Sequence, residues 1–176
     1  CMGPPGQVAT LILPADVSWG EGAVPCPPPA QPAPQAADAA VVQAIAEVLR
    51  SGKKTALLLG GHALREPALL AAARIAAHSG VQLLAEVFPT RIIHFPNSNE
   101  AQVERIAYLA EMAGVQLAEI EHLVLVDAKA PVSFFAYPGK KSELVPDTCT
   151  VHTLSTPAQD AAASLVQLAT ALGAMQ

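Results

Sequence analysis

The sequence predicts an α/β domain: a doubly wound parallel sheet of about six strands with helices on both faces. Three observations carry this. From residue 38 onward, short apolar runs alternate with segments of helical periodicity, the pattern of repeated βαβ units. The runs TALLL at 55–59 and HLVLV at 122–126 are continuously apolar, which marks strands buried on both faces. Residues of the apolar class make up 52% of the 176-residue chain and charged ones only 14%, enough to fill one core of ordinary size.

Taken in order, residues 7–13 (QVATLIL) form a β-branched and apolar run that reads as a buried strand. Nine of the 16 prolines lie before residue 35, and PCPPPAQPAP at 25–34 is an extended, polyproline-like linker. Residues 38–50 place Val41, Val42, Ile45, Val48 and Leu49 at helical spacing and stop at Ser51-Gly52. The strand 55–59 runs into Gly60-Gly61. A helix over 66–78 carries Pro67 in its first turn and ends at Gly80. Residues 81–85 read as a strand, 86–100 as irregular, 103–112 as a helix and 117–121 as a turn or short helix. A third buried strand covers 122–126 and ends at Asp127. Residues 132–137 are apolar and aromatic, followed by the turn Pro138-Gly139. Residues 149–154 read as a strand. Ser155 or Thr156 then caps a last helix running to Leu172, with Pro157 at its first position.

Composition excludes several classes of function. A net charge of −5 argues against nucleic-acid binding, which requires a basic stripe. No apolar run reaches the length of a membrane span, and no charged-then-apolar leader opens the chain. Cys1, Cys26 and Cys149 are odd in number and scattered, so they form neither a disulfide framework nor a zinc spacing; a cytoplasmic location follows.

A glycine turn between a strand and a helix exposes backbone N–H groups to an anion. Gly60-Gly61-His62 is such a turn, though GGHALR lacks the third glycine of the dinucleotide fingerprint. Ligands of open α/β sheets sit beyond the carboxyl ends of the strands. Those ends here are Gly60-Gly61-His62, Glu86-Val87-Phe88 and Asp127-Ala128-Lys129. His62 and Asp127 could meet across adjacent strand ends, a geometry suited to acid–base work, although a hydrogen-bonded loop histidine is the commoner outcome. There is no G-x-S-x-G elbow, no H-E-x-x-H, no paired C-x-x-C and no P-loop, so no catalytic and no metal-ligating residue is assigned.

Two stretches resemble a known family. GQVATLILPADVSW at 6–19 is similar to the segment that closes the first domain of thiamine diphosphate-dependent decarboxylases and acetolactate synthases. LVLVDAKAPVSFFAYPG at 123–139 resembles the third strand and following loop of their middle domain, with the A-P-V-x-F and Y-P-G elements of the benzoylformate decarboxylase branch. The resemblance covers essentially the whole chain. It implies a Rossmann-like middle domain at 36–176, a proline-rich linker at 21–35, and the tail strand of a missing pyrimidine-binding domain at 1–20.

In that family the first domain supplies the glutamate that activates thiamine, and the third supplies a Gly-Asp-Gly motif for magnesium and diphosphate. This chain contains neither. The resemblance therefore implies a central structural and interface domain of an acetolactate synthase-like or 2-oxo acid decarboxylase-like enzyme (a transferase or lyase), inactive when isolated. Its partners would be the missing N- and C-terminal domains and further copies of the parent, with no nucleic acid and no membrane. Thiamine diphosphate and magnesium belong to the parent, and no cofactor is expected in the fragment. Middle domains of true synthases hold FAD across the strand ends. Here the loop after the third strand lacks the family's Phe-Asp-Asp-Arg element, so FAD is possible but not favoured. If a vestigial nucleotide crevice persists, the resemblance and the strand ends point to Gly60, Gly61, His62, Arg91 and Lys129. The alternative is a free-standing FAD- or NAD-binding α/β domain.

Overall fold

The computed structural model describes residues 1–93 and 102–174. Five parallel strands form one sheet in the order β3-β2-β1-β4-β5. They are β1 (Thr55–Leu59), β2 (Gln82–Ala85), β3 (Val103–Arg105), β4 (His122–Val126) and β5 (Thr150–Ser155). Every residue of the central β1 is buried, whereas the edge strands β3 and β5 are largely open to solvent. Their position explains the difference, because an edge strand lacks a neighbour on one side.

Alternation along the strands divides the core in two. Leu57, Leu59, Leu83, Ala85, Val124, Val126 and Leu154 face helices α2 (Ala39–Arg50), α3 (Glu66–Ser79) and α5 (Ala161–Leu172). Ala56, Leu58, Leu84, Leu123 and Leu125 face the other way, toward Ala113 and Leu117 of α4 (Ala110–Leu117). Among the described residues one face thus carries three helices and the other a two-turn helix and loops. Helix α2 buries Val42, Ile45, Ala46 and Leu49, an i, i+3, i+4, i+7 stripe. Helix α3 ends where Gly80 takes a left-handed φ of 72° and returns its N–H to the Ala76 carbonyl at 2.8 Å.

The structure corrects several sequence expectations. Residues 7–13 are not a strand: Val8, Leu11 and Ile12 are 98%, 86% and 84% exposed, and no strand lies beside them. Among the described residues the sheet has five strands rather than about six. The stretch expected to be a helix over 103–112 is split between β3 and the start of α4. Val103–Arg105 pairs with β2 through backbone bonds that no side-chain period records. The last helix does not begin after Thr156. Ser155 still belongs to β5, and Asp160 is the N-cap, accepting the Ala163 N–H at 2.9 Å. A further short helix, α1 (Ala15–Trp19), lies in the exposed N-terminal segment and buries nothing. Part of the stretch expected to be irregular, 94–100, lies outside the described residues. No helix among the described residues is long and apolar enough to cross a membrane.

Candidate functional site

The strand order reverses between β1 and β4, which are paired from Thr55↔His122 to Leu59↔Val126. In open α/β sheets the crevice beyond such a switch point is where ligands sit. Here Gly60 follows β1, and Asp127 follows β4. Their backbones are so close that a Cβ on Gly60 would stand 2.4 Å from the Asp127 carbonyl oxygen. The contact is fixed by the Gly60 N–H donating to the Val126 carbonyl at 3.0 Å and the Asp127 N–H donating to Ser155 at 2.9 Å.

Beyond the turn, Gly61–Leu64 forms a single 3-10 turn. Its N-terminal amide donors are occupied by the protein's own carboxylates. The His62 N–H donates to Asp127 Oδ2 at 2.6 Å, and the Gly61 N–H lies in hydrogen-bonding relation to the Glu86 carboxylate. Asp127 holds the left-handed region with φ 50°, the single non-glycine residue at positive φ among those described. Its side chain is only 5% exposed. The Gly61 position also needs glycine, since φ is 41° and a Cβ there would meet the Asp127 carboxylate at 2.4 Å. Burial pushes the Glu86 carboxyl above its ordinary value; the Gly61 amide opposes this and the Asp127 charge adds to it.

Of the five residues named from the sequence, the structure sets Gly60 against the Asp127-Ala128 backbone and Gly61 and His62 against the Asp127 carboxylate. His62 Nδ1 lies 3.5 Å from Asp127 Oδ2, so the two meet as the strand ends suggested, but the imidazole is 81% exposed. Arg91 lies on a loop held to the turn by the Ile93 N–H bonding the Leu64 carbonyl at 3.2 Å. The Arg91 and Lys129 side chains are exposed and make no hydrogen bond or ion pair among the described residues. No group of three metal-ligating side chains occurs among the described residues. Among the described residues, no nucleophile is hydrogen-bonded to the His62–Asp127 pair.

A cavity of about 600 Å³ opens beside this turn, bordered by His62, Arg65, Pro157 and Gln159 and closed by residues 3–6 of the N-terminal segment. Its volume suits a small ligand. Arg65 and Gln159 escaped the sequence reading because neither belongs to a motif; their placement depends on the turns after β1 and β5. The fit to a flavin is poor. A pyrophosphate would need the amides of Gly61 and His62, and both already face carboxylates whose charge would repel it. The sequence likewise contains no Gly-Asp-Gly motif to hold thiamine diphosphate.

No family model matches the chain. A protein of Mycobacterium tuberculosis, named as a proposed acetolactate synthase large subunit (IlvX), is 50% identical over 162 residues. That alignment covers 90% of this chain but only 30% of the relative. An X-ray structure from Mycobacterium smegmatis, described as a proposed thiamin diphosphate-dependent enzyme, superposes with a TM-score of 0.61 at 18% identity. The superposition covers 81% of this chain and 30% of that one. The chain has the α/β fold of a domain from such an enzyme. It matches a fragment of an acetolactate synthase-like protein, spanning less than a third of its length, and the reading as a free-standing nucleotide-binding domain is not favoured.

Proposed function

We propose that the chain is the central domain of a thiamine diphosphate-dependent acetolactate synthase-like or 2-oxo acid decarboxylase-like enzyme. The observation that carries this is the 50% identity held over 162 residues to one part of a longer relative. Residues 36–176 are the domain, 21–35 the linker, and 1–20 the tail of a preceding pyrimidine-binding domain. Two contacts support the boundary: the Asp160 N–H donates to the Gln35 carbonyl at 2.8 Å, and the Ala37 N–H donates to Ser164 Oγ at 2.9 Å. Upstream of them the linker stays exposed.

In this reading the domain is scaffold and channel wall. Thiamine diphosphate and magnesium are held by the domains on either side, in a cytoplasmic homo-oligomer. The strand-end crevice of Gly60, Gly61, His62, Arg91 and Lys129 is a vestige in which Asp127 stands where a ligand phosphate would be. The three free thiols support the cytoplasmic assignment. The purified chain, supplied with thiamine diphosphate and magnesium, is expected to turn over neither pyruvate nor benzoylformate. Turnover of either would overturn the proposal.

A further inference from the structure

Strand β4 opens with His122, and the edge strand β5 carries His152 at its third position. In the parallel register His122 pairs with Thr150 and Val124 with His152. Side chains two apart share a face, so the two histidines are diagonal neighbours on one side of the sheet. It is the side of Val124, which α2, α3 and α5 cover. Both histidines are half-buried. His122 Nδ1 lies 3.1 Å from His152 Nε2, with the ring centroids 5.2 Å apart. Neither ring has another hydrogen-bond partner among the described residues.

A neutral imidazole carries one N–H and one lone pair, so across this gap one ring donates and the other accepts. The same two nitrogens are spaced as ligands of a single metal ion. With metal–nitrogen bonds of about 2.0–2.1 Å, nitrogens 3.1 Å apart subtend roughly 100° at the metal, between a right angle and the tetrahedral value. Binding needs one internal change. The donor ring moves its proton from the facing nitrogen to its other nitrogen, so both lone pairs face the ion and a neutral pair loses no net proton. Imidazole suits zinc, copper and nickel, whereas magnesium and calcium take oxygen ligands. Both histidines stand on hydrogen-bonded strands rather than on loops, so the spacing is held by the sheet itself. No group of three ligating side chains occurs among the described residues, so water completes the coordination.

We propose that His122 and His152 form a two-nitrogen site for a zinc-class divalent cation, which ties the edge strand β5 to β4. The pair lies toward the amino ends of the strands, whereas the Gly60–Asp127 crevice lies at their carboxyl ends. The proposal does not depend on the central-domain reading, and its ion is not the magnesium of that reading.

Zinc titration of the 176-residue chain tests it, with Cys1, Cys26 and Cys149 replaced by Ser so that no thiol competes. Calorimetry gives stoichiometry and affinity, and imidazole 15N spectra report which nitrogens are ligated. One zinc per chain is expected, with the His122 Nδ1 and His152 Nε2 signals moving together and excess magnesium leaving both unmoved. His122→Asn and His152→Asn should each weaken binding at least about tenfold, since even loss of a group that only supports a ligand costs 10–100-fold. His78→Asn, on α3, should bind as the parent does. Absence of saturable binding would overturn the proposal and leave the pair as a hydrogen bond only. So would saturation that follows another histidine, or signals of 122 and 152 that move at different zinc concentrations. Should either Asn variant fail to fold, the parent's spectra alone decide, because they name the ligating nitrogens.

Discussion

Replacing Gly60 by Ala perturbs the point where β1 and β4 leave the sheet. The backbone there is extended, with φ −132°, so alanine meets no torsional penalty. The cost is steric. The new Cβ would stand 2.4 Å from the Asp127 carbonyl oxygen and 3.1 Å from the Ala128 Cβ. Carbon–oxygen contacts settle at about 3.3–3.6 Å, so the two strand ends must separate by roughly 1 Å. That movement strains the Gly60–Val126 backbone bond of 3.0 Å and the His62–Asp127 bond of 2.6 Å. A neutral hydrogen bond contributes about 1 kcal/mol and one to a charged group about 1.5–3, so the loss is about 3 kcal/mol. For a chain of this size that lowers Tm by roughly 6–12 °C in calorimetry. Gly114→Ala provides the opposite sign. It lies inside α4 with nothing within 4 Å of the new Cβ, so it should stabilise by about 0.5–1 kcal/mol. A Gly60→Ala protein melting within a degree of the parent would refute the close approach of the two strand ends.

Three further outcomes follow from the same structure. Because the folded-state pKa of Glu86 is raised, its contribution is complete below its ordinary value of 4.5 and is lost as pH rises through the folded pKa. Glu86→Gln keeps an acceptor for Gly61, so it should melt higher than the parent at pH 7 and show no such slope; a lower melting point at pH 7 would contradict the assignment. His152 is held below its ordinary 6.5 by burial and then by His122, whose Nδ1 lies 3.1 Å from His152 Nε2. Its contribution is present above 6.5 and lost as pH falls, so the parent should lose Tm between pH 7 and 5 more steeply than His152→Gln. Asp160→Ala removes the cap of α5 and should cost about 1 kcal/mol, or roughly 2–4 °C in Tm.

The buried centre of the fold was legible because parallel strands covered on both sides must be continuously apolar, as TALLL and HLVLV are. The edges were not. Val103–Arg105 is three residues long, mostly exposed, and held by backbone bonds to β2. Residues 7–13 have the composition of a strand but no neighbour to pair with among the described residues. The start of α5 was misplaced because Thr156 and Pro157 imitate a cap, while the Asp160 side chain makes the bond. At the site, the glycine turn announced itself. The left-handed backbone of Asp127 and the turning of Glu86 toward Gly61 did not, since both depend on register across β4, β1 and β2. The aromatic cluster is a pure product of topology: positions 88, 108, 134, 135 and 137 share no period, and three separate loops bring them together.

As the proposed central domain, this chain supplies a middle layer and borrows its cofactor chemistry from domains beside it. Calorimetric titration with thiamine diphosphate in saturating magnesium tests that most directly. Heats of dilution alone are expected for the 176-residue chain, and a saturating isotherm for the longer natural polypeptide under the same conditions. Stoichiometric, saturable binding to the 176-residue chain would contradict it.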